Sequence, residues 1–234
     1  MRALPDRIAL SSGDRPLKIV RRQTARRFIL RLDDEDDAVI LTLPRYASFA
    51  AALRFLADNR GWIERRLDEL PPRVAFADGV EIPILGVPHV IRHRAQSRGH
   101  GAVWLEPGAL CVSGDGRHLS RRITDFLREQ ARRELGVRAH AMAASIGRRV
   151  LRISVRNTRT RWGSCAHDGA LCFSWRLIFA PAAVVDYVVA HEIAHLKHMN
   201  HGARFWRAVE DLAPGSDAPR LWLRRNRARL LRFG

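Results

Sequence analysis

Cysteine is nearly absent. The chain has three, Cys111, Cys165 and Cys172, in 234 residues, and none forms a CxxC pair. A secreted disulfide scaffold would be richer in cysteine and even in count, so that class is excluded. The thiols read as small packing groups, although Cys165 and Cys172 lie near enough to a histidine cluster to leave a metal or redox role open. Long apolar runs are also missing: none approaches the ~20 residues that span a bilayer. The first residues, MRALPDRIALSSGDRP, lack the apolar stretch of an export signal. The expectation is a cytoplasmic protein with no membrane partner.

Lysine is scarce too, confined to Lys18 and Lys197, so the 41 basic residues are nearly all arginine. Against 24 acidic residues they leave a formal charge of +17. Such a surface attracts polyanions, nucleic acid first. The arginines are spread along the whole chain, however, and an arginine-rich composition also arises from GC-rich coding. Nucleic acid is therefore a candidate partner through the basic surface, and the charge carries no information about fold. A composition of 47% hydrophobic and 28% charged residues excludes a disordered chain.

What is present divides into a β-rich first half and a helical second half. Short apolar or alternating runs at Leu17–Arg22, Phe28–Leu32 and Ala38–Leu43 predict strands, the last two separated by the acidic turn Asp33–Asp37. Helical spacing then runs from Ser48, a candidate N-cap, to Leu70, where Pro71-Pro72 stops it; Gly61 is the candidate break. Further strands are predicted at Val80–Leu85, His89–Ala95, Ala102–Leu105 and Ala109–Val112. A Gly-rich turn around Ser113–His118 suggests a boundary dividing residues 1–115 from residues 116–234, unless the two form one continuous domain. Leu119–Gly147 follows as an arginine-rich helix with Ile123, Leu127, Ala131 and Leu135 on one stripe and Gly136 as a candidate interruption. Its arginines read as a solvated face. Strands are expected at Val150–Val155 and Leu171–Trp175, the second extending through Leu177–Phe179. Pro181 suits the first position of a helix running to about Lys197, and Phe205–Leu212 and Leu221–Leu231 predict two closing helices. No internal repeat is visible.

The helix after Pro181 carries the chemistry. It contains His191-Glu192-Ile193-Ala194-His195, an HExxH sequence flanked by apolar residues. Residues four apart share a helix face, so both imidazoles can reach one ion. Zinc is served by two neutral imidazoles, a third protein ligand and water in an open fourth position. Glu192, next to the first histidine, is placed to act as the general base. Burying unpaired imidazoles and a carboxylate in so apolar a helix would be costly without a partner. Two histidines compete for the third ligand. His198 continues the helix face but lies too far along the axis for tetrahedral geometry. His201 requires the chain to leave the helix and turn back, for which Asn200 and Gly202 suit a left-handed turn. His201 is the choice, with Glu210 and Asp211 as candidate partners for an imidazole N–H.

These residues, together with Arg161-Trp162-Gly163-Ser164-Cys165, Trp175-Arg176-Leu177 and Gly202-Ala203-Arg204-Phe205-Trp206, resemble the YgjP-like zinc metallopeptidases, a family related to SprT-like proteins and DNA–protein crosslink proteases. The resemblance is strongest over residues 156–206. It implies an α+β, zincin-like metallopeptidase domain with a β-rich N-terminal region. It also implies Zn2+ held by His191, His195 and His201, Glu192 as catalytic base, and a protein or peptide substrate. Arg161–Cys165 is implied to lie on a strand near the cleft, where an extended substrate can pair with the edge. Arg161, Trp162, Gly163, Ser164 and His198 are further candidates for lining the cleft or stabilising the transition state. For Arg161 two roles stay open, anchoring its loop or stabilising oxyanion charge. Ser174 departs from the pattern, which has Asn before Trp-Arg-Leu. The histidine spacing also fits metzincins, but His198 replaces their glycine and no methionine follows His201. Trp162, Trp175 and Trp206 read as core or cleft wall rather than base-stacking platforms. The competing reading is a basic nucleic-acid-associated protein with structural zinc, or a protease recruited to DNA.

Overall fold

The apolar runs near the start of the chain become strands β1 (Arg7–Ile8), β2 (Arg15–Arg22), β3 (Ile29–Asp33) and β4 (Ala38–Pro44) of one sheet, ordered β1-β2-β4-β3. The computed structural model describes residues 5–33, 36–94, 96 and 101–234. β2 and β4 are parallel, and the outer pairs are antiparallel. Asp34 and Glu35 of the acidic turn lie outside the described residues. Asp33 is not a solvated turn residue: it is buried, 3.8 Å from the Lys18 ammonium, which also meets Asp36 at 3.1 Å.

Ser48 caps α1 (Phe49–Asp58) by accepting from the Ala51 amide. The single helix expected to Leu70 is divided, and at Asn59 rather than Gly61; α2 is Arg60–Asp68. The Asn59 side-chain amide donates to the Phe55 carbonyl at 2.8 Å, competing locally with the helical ladder. Leu17, Val39, Leu41 and Leu43 share a core with Ala52, Leu56 and Ile63 of these helices.

A second compact unit runs from Arg73 to Gly234. Its first sheet contains β5 (Glu81–Ile84), β6 (Val87–Arg94), β7 (Val103–Glu106) and β8 (Ala109–Ser113), ordered β5-β6-β8-β7. β6 and β8 are parallel and the outer pairs antiparallel, which repeats the topology of the first sheet. Ala95, the expected end of a strand, lies outside the described residues. Compactness divides the chain between Pro72 and Arg73, whereas the sequence suggests 115/116. Ile82, Ile91, Leu110 and Val112 belong to one core with the helices that follow.

α3 (Leu119–Ser145) runs unbroken through Gly136. A buried stripe, Ile123, Leu127, Ala131, Leu135, Ala139 and Ala143, holds it, against roughly 1 kcal/mol lost at one interior glycine. A three-stranded sheet follows, with β9 (Arg152–Arg156), β10 (Gly163–Cys165) and β11 (Ala170–Ser174) ordered β10-β11-β9. β10 is antiparallel to β11 and occupies an edge.

Leu177–Phe179 does not extend β11. Trp175–Phe179 is a 3-10 turn whose five side chains are all buried. A strand sends alternate side chains to opposite faces, so five in succession are buried only when both faces are covered. Here Asn157 accepts from Trp175 Nε1 at 3.0 Å and Arg176 Nε at 3.3 Å, and Arg176 donates to the Phe233 carbonyl. α4 (Ala182–Ala194) begins just after Pro181, which is its extended flanking residue rather than its first helical one. α5 (Ala203–Leu212) precedes α6 (Asp217–Arg225) and α7 (Arg227–Leu231). The last two divide the expected closing helix at Asn226, whose side chain donates to the Trp222 carbonyl at 2.9 Å. Among the described residues, no helix is long and apolar enough to cross a membrane.

Candidate metal centre

α4 is buried nearly all round: Val184, Val185, Val188, Val189, Ala190, Ile193 and Ala194 are in the core. A polar side chain on such a helix reaches water only at a cleft. Its C-terminal turn brings His191 and His195 together, with ring centroids 5.2 Å apart. The helix ends at Ala194, three residues before the expected Lys197. Residues 195–197 form a turn, closed by the His198 amide on the Ala194 carbonyl at 2.9 Å. The Gly202 amide then bonds the Asn200 carbonyl at 2.8 Å, a three-residue turn centred on His201. Neither Asn200 nor Gly202 adopts the left-handed conformation expected from sequence; Gly202 is extended at φ −80°, ψ −176°.

This turn returns His201 to the helix. Its centroid lies 5.1 Å from His191 and 4.8 Å from His195. One ligand atom from each of the three lies within 4.8 Å of the others, the only such cluster among the described residues. His201 Nε2 and His191 Nε2 are 3.2 Å apart. Two nitrogens at ~2.0–2.1 Å from a tetrahedral ion stand ~3.3 Å apart, so this pair fits zinc coordination. The His198 side chain is not in the cluster; its carbonyl receives a bond from His195 Nδ1 at 3.1 Å. A carbonyl only accepts, so His195 carries its proton on Nδ1 and keeps Nε2 as a lone pair. Burial, then His195 and His201, lowers the His191 pKa to about 4, leaving a neutral imidazole at neutral pH. Burial also lowers His195, against the bond to His198, which raises it. Phe205 and Trp206 of α5 wall the triad, with centroids 4.9 Å and 5.8 Å from His191.

Glu192 is 6% exposed and faces a pocket of about 230 Å³ lined by Trp162, Gly163, Tyr187, Val188, His191 and Leu223. Burial raises its pKa to about 7, with Arg161 pulling it down. Gly163 explains the close approach of β10. A Cβ there would lie 2.5 Å from Glu192 Oε1 and 2.6 Å from its Cγ.

Of the other sequence candidates, Trp162 and Gly163 line the pocket, and Arg161 is exposed with its charge felt at Glu192. Ser164 and Cys165 continue the edge strand outside the lining. Trp175 is core, under the guanidinium groups of Arg176 and Arg128. Ser174 is buried, its hydroxyl 3.4 Å from the Thr158 carbonyl. Glu210 is not an imidazole partner; it accepts from the Gly215 and Ser216 amides ahead of α6. Burial raises the Cys165 thiol to about 11, the opposite of a reactive thiolate. Tyr187, Leu223 and Arg220 escaped the sequence reading. Tyr187 stands four residues before His191, a spacing that would have placed it on the ligand face. The residues from α6 carry no sequence signal.

Among solved structures, the crystal structure of the metallopeptidase zymogen of Pyrococcus abyssi abylysin matches at 22% identity. The match covers 46% of this chain and 86% of that one, with a TM-score of 0.27. Among curated proteins none matches. The family described as YgjP-like, metallopeptidase domain, matches residues 26–226, a span that includes all three histidines, Glu192 and the strand beside them. With that span covering most of its length, the chain belongs to the YgjP-like metallopeptidase domain family.

Proposed function

We propose that this protein is a zinc-dependent peptidase in which His191, His195 and His201 hold the ion and Glu192 is the general base. The convergence of three imidazoles beside a buried, pocket-facing carboxylate supports this most directly. When bound, zinc supplies Lewis acidity, polarising the scissile carbonyl and acidifying the attacking water. Glu192, buried and facing the pocket, would take a proton from that water and return it to the leaving amine. The carboxylate packs closely against Gly163, which lines the same pocket. As an edge of its sheet, β10 offers an extended peptide a strand to pair with. Arg161 remains available for developing negative charge, because no carboxylate stands within ion-pair distance among the described residues.

Structural zinc is closed by four protein ligands. Here the described residues supply three, and His201 is exposed, which favours catalysis over the structural reading. Elemental analysis of wild type, His195→Ala, His201→Ala and Glu192→Gln tests the assignment alongside peptide hydrolysis. One zinc per chain is expected in wild type and Glu192→Gln and is lost in both histidine variants. Hydrolysis is expected only in wild type. A Glu192→Gln protein that cleaves peptides like wild type would remove the carboxylate from the mechanism.

A further inference from the structure

Several arginines of the second unit are held by hydrogen bonds or ion pairs. Arg138 binds Glu134 and Asp186, Arg176 bonds Asn157 and Phe233, and Arg227 bonds the Arg159 carbonyl. Arg220 is held on a ring instead. Its guanidinium lies 4.8 Å from the Trp206 ring centroid, and among the described residues no carboxylate stands within ion-pair distance. The same indole ring is 5.8 Å from His191 and from His201, so it joins the cation directly to the metal triad. Arg220 and Arg224, the latter likewise without an ion pair, line a cavity of about 520 Å³ with Asp217 and Leu221. The neighbouring helical residue Leu223 lines the pocket of Glu192. α6 thus borders both spaces. The cavity holds two cations and one carboxylate.

Stacking matters to what Arg220 can do. A guanidinium lying on an aromatic ring spends one π-face there, which also limits its rotamers. Among the described residues no partner takes the N–H donors around its rim, whose fork geometry fits a carboxylate through two parallel bonds. A preorganised, unpaired fork beside a cleft is a receptor for an anionic group rather than a support for the fold.

We infer that Arg220, held on Trp206, selects peptide substrates carrying a carboxylate near the scissile bond. This specificity role rests on the peptidase reading above. The carboxylate belongs either to an Asp or Glu side chain or to the free C-terminus of the peptide, and both present the same two oxygens to the fork. Arg224 adds charge to the same cavity.

Binding separates this inference from turnover. Zinc-loaded Glu192→Gln protein is titrated with labelled peptides that differ only by Glu against Gln at successive positions, or by a free against an amidated C-terminus. Fluorescence anisotropy gives each Kd. One carboxylate position is expected to tighten binding about tenfold, equal to ~1.4 kcal/mol. Adding Arg220→Ala should abolish that preference while neutral-peptide binding stays within about twofold; Arg220→Lys should restore only part of it. Preference at an internal position identifies the side chain, and preference for the free acid identifies the chain end. Arg132→Ala on α3 is the charge-matched control and should leave the preference intact. Equal affinity for acidic and neutral peptides, or equal loss in Arg132→Ala, overturns the inference and assigns any attraction to net charge. The two readings fail separately. Wild type that cleaves neutral peptides as fast as acidic ones, with no preference in binding, refutes selection by Arg220 and leaves the peptidase standing. An Arg220-dependent preference in a protein that cleaves nothing refutes the peptidase and leaves the anion site.

Discussion

Gly163 and Glu192 show how a single contact sets the site. The missing side chain on β10 lets a carboxylate pack where a Cβ would come within 2.5 Å of Oε1. In Gly163→Ala the carboxylate has to swing away while the histidines keep their positions. Zinc content is therefore expected to stay at the wild-type level while kcat falls by on the order of 10²-fold, the scale of an ångström misplacement. Unchanged kcat would show that Glu192 does not work from this position. The same carboxylate gives a pH signature in chelator-treated protein. Its folded pKa, about 7, lies above its ordinary 4.5, so the folded state favours the protonated form. That advantage is complete below pH 4.5 and is lost as pH rises through 7. Metal-free Glu192→Gln should then be more stable to denaturant than metal-free wild type at pH 8, by roughly 3 kcal/mol, and the gap should close near pH 4. A gap that widens toward acid would reverse the assigned sign. At this scale the sequence is informative for His191, Glu192, His195 and His201, because a four-residue spacing and a following turn are local. The Gly163 contact joins residues distant along the chain through strand-on-helix packing, and no spacing rule reaches it.

The elements explain which histidine joins the cluster. Because α4 stops at Ala194, His198 falls in the turn and contributes its carbonyl, bonded to His195 Nδ1, in place of its ring. His198→Ala keeps that carbonyl. It should retain one zinc per chain and lose less than about threefold in kcat/KM, whereas His201→Ala should lose the metal; elemental analysis with kinetics on the two proteins checks this. Metal loss in His198→Ala would move the third ligand to the turn. Strands and long helices were largely readable because alternation and the Ile123-to-Ala143 stripe reflect burial. Breaks were less so. Gly61 and Gly136 are the candidate breaks in the sequence, yet Asn59 and Asn226 divide the helices, each donating to the carbonyl four residues back. A glycine weakens a helix without giving its acceptors another donor, while asparagine supplies one. The repeated sheet topology was also hidden. β2 and β6 do align Pro16 with Pro88, Ile19 with Ile91 and Arg22 with Arg94, but three coincidences in eight-residue strands do not distinguish a repeat from strand composition.

On the scale of the molecule, each compact unit has its own core. The one ending at Pro72 is closed by Leu17, Leu41, Leu56 and Ile63, while the histidine triad, Glu192 and the β10 edge all belong to the other, whose core runs from Phe76 to Phe233. The ends of that second core are tied within the unit: Val74 bridges Phe233, and the Val74 amide bonds the Arg232 carbonyl at 2.9 Å. A unit with its own core and joined ends is expected to fold by itself. A chain starting at Arg73 should therefore bind one zinc and unfold in one cooperative transition. A chelator should lower its Tm, since an ion bound only to the folded state stabilises it by mass action. The overall charge gives a second readout on the same two proteins. With +17 spread over the full chain, any DNA binding should be insensitive to sequence and should weaken by about 10³-fold or more between 50 and 200 mM salt. Calorimetry, metal analysis and a salt titration of DNA binding on the full chain and the shortened one decide both points. A shortened chain that holds zinc but melts without cooperativity would show that the first unit completes the fold. DNA binding that resists salt and depends on sequence would show a built nucleic-acid site in place of diffuse attraction, and its loss on shortening would locate that site in the first 72 residues.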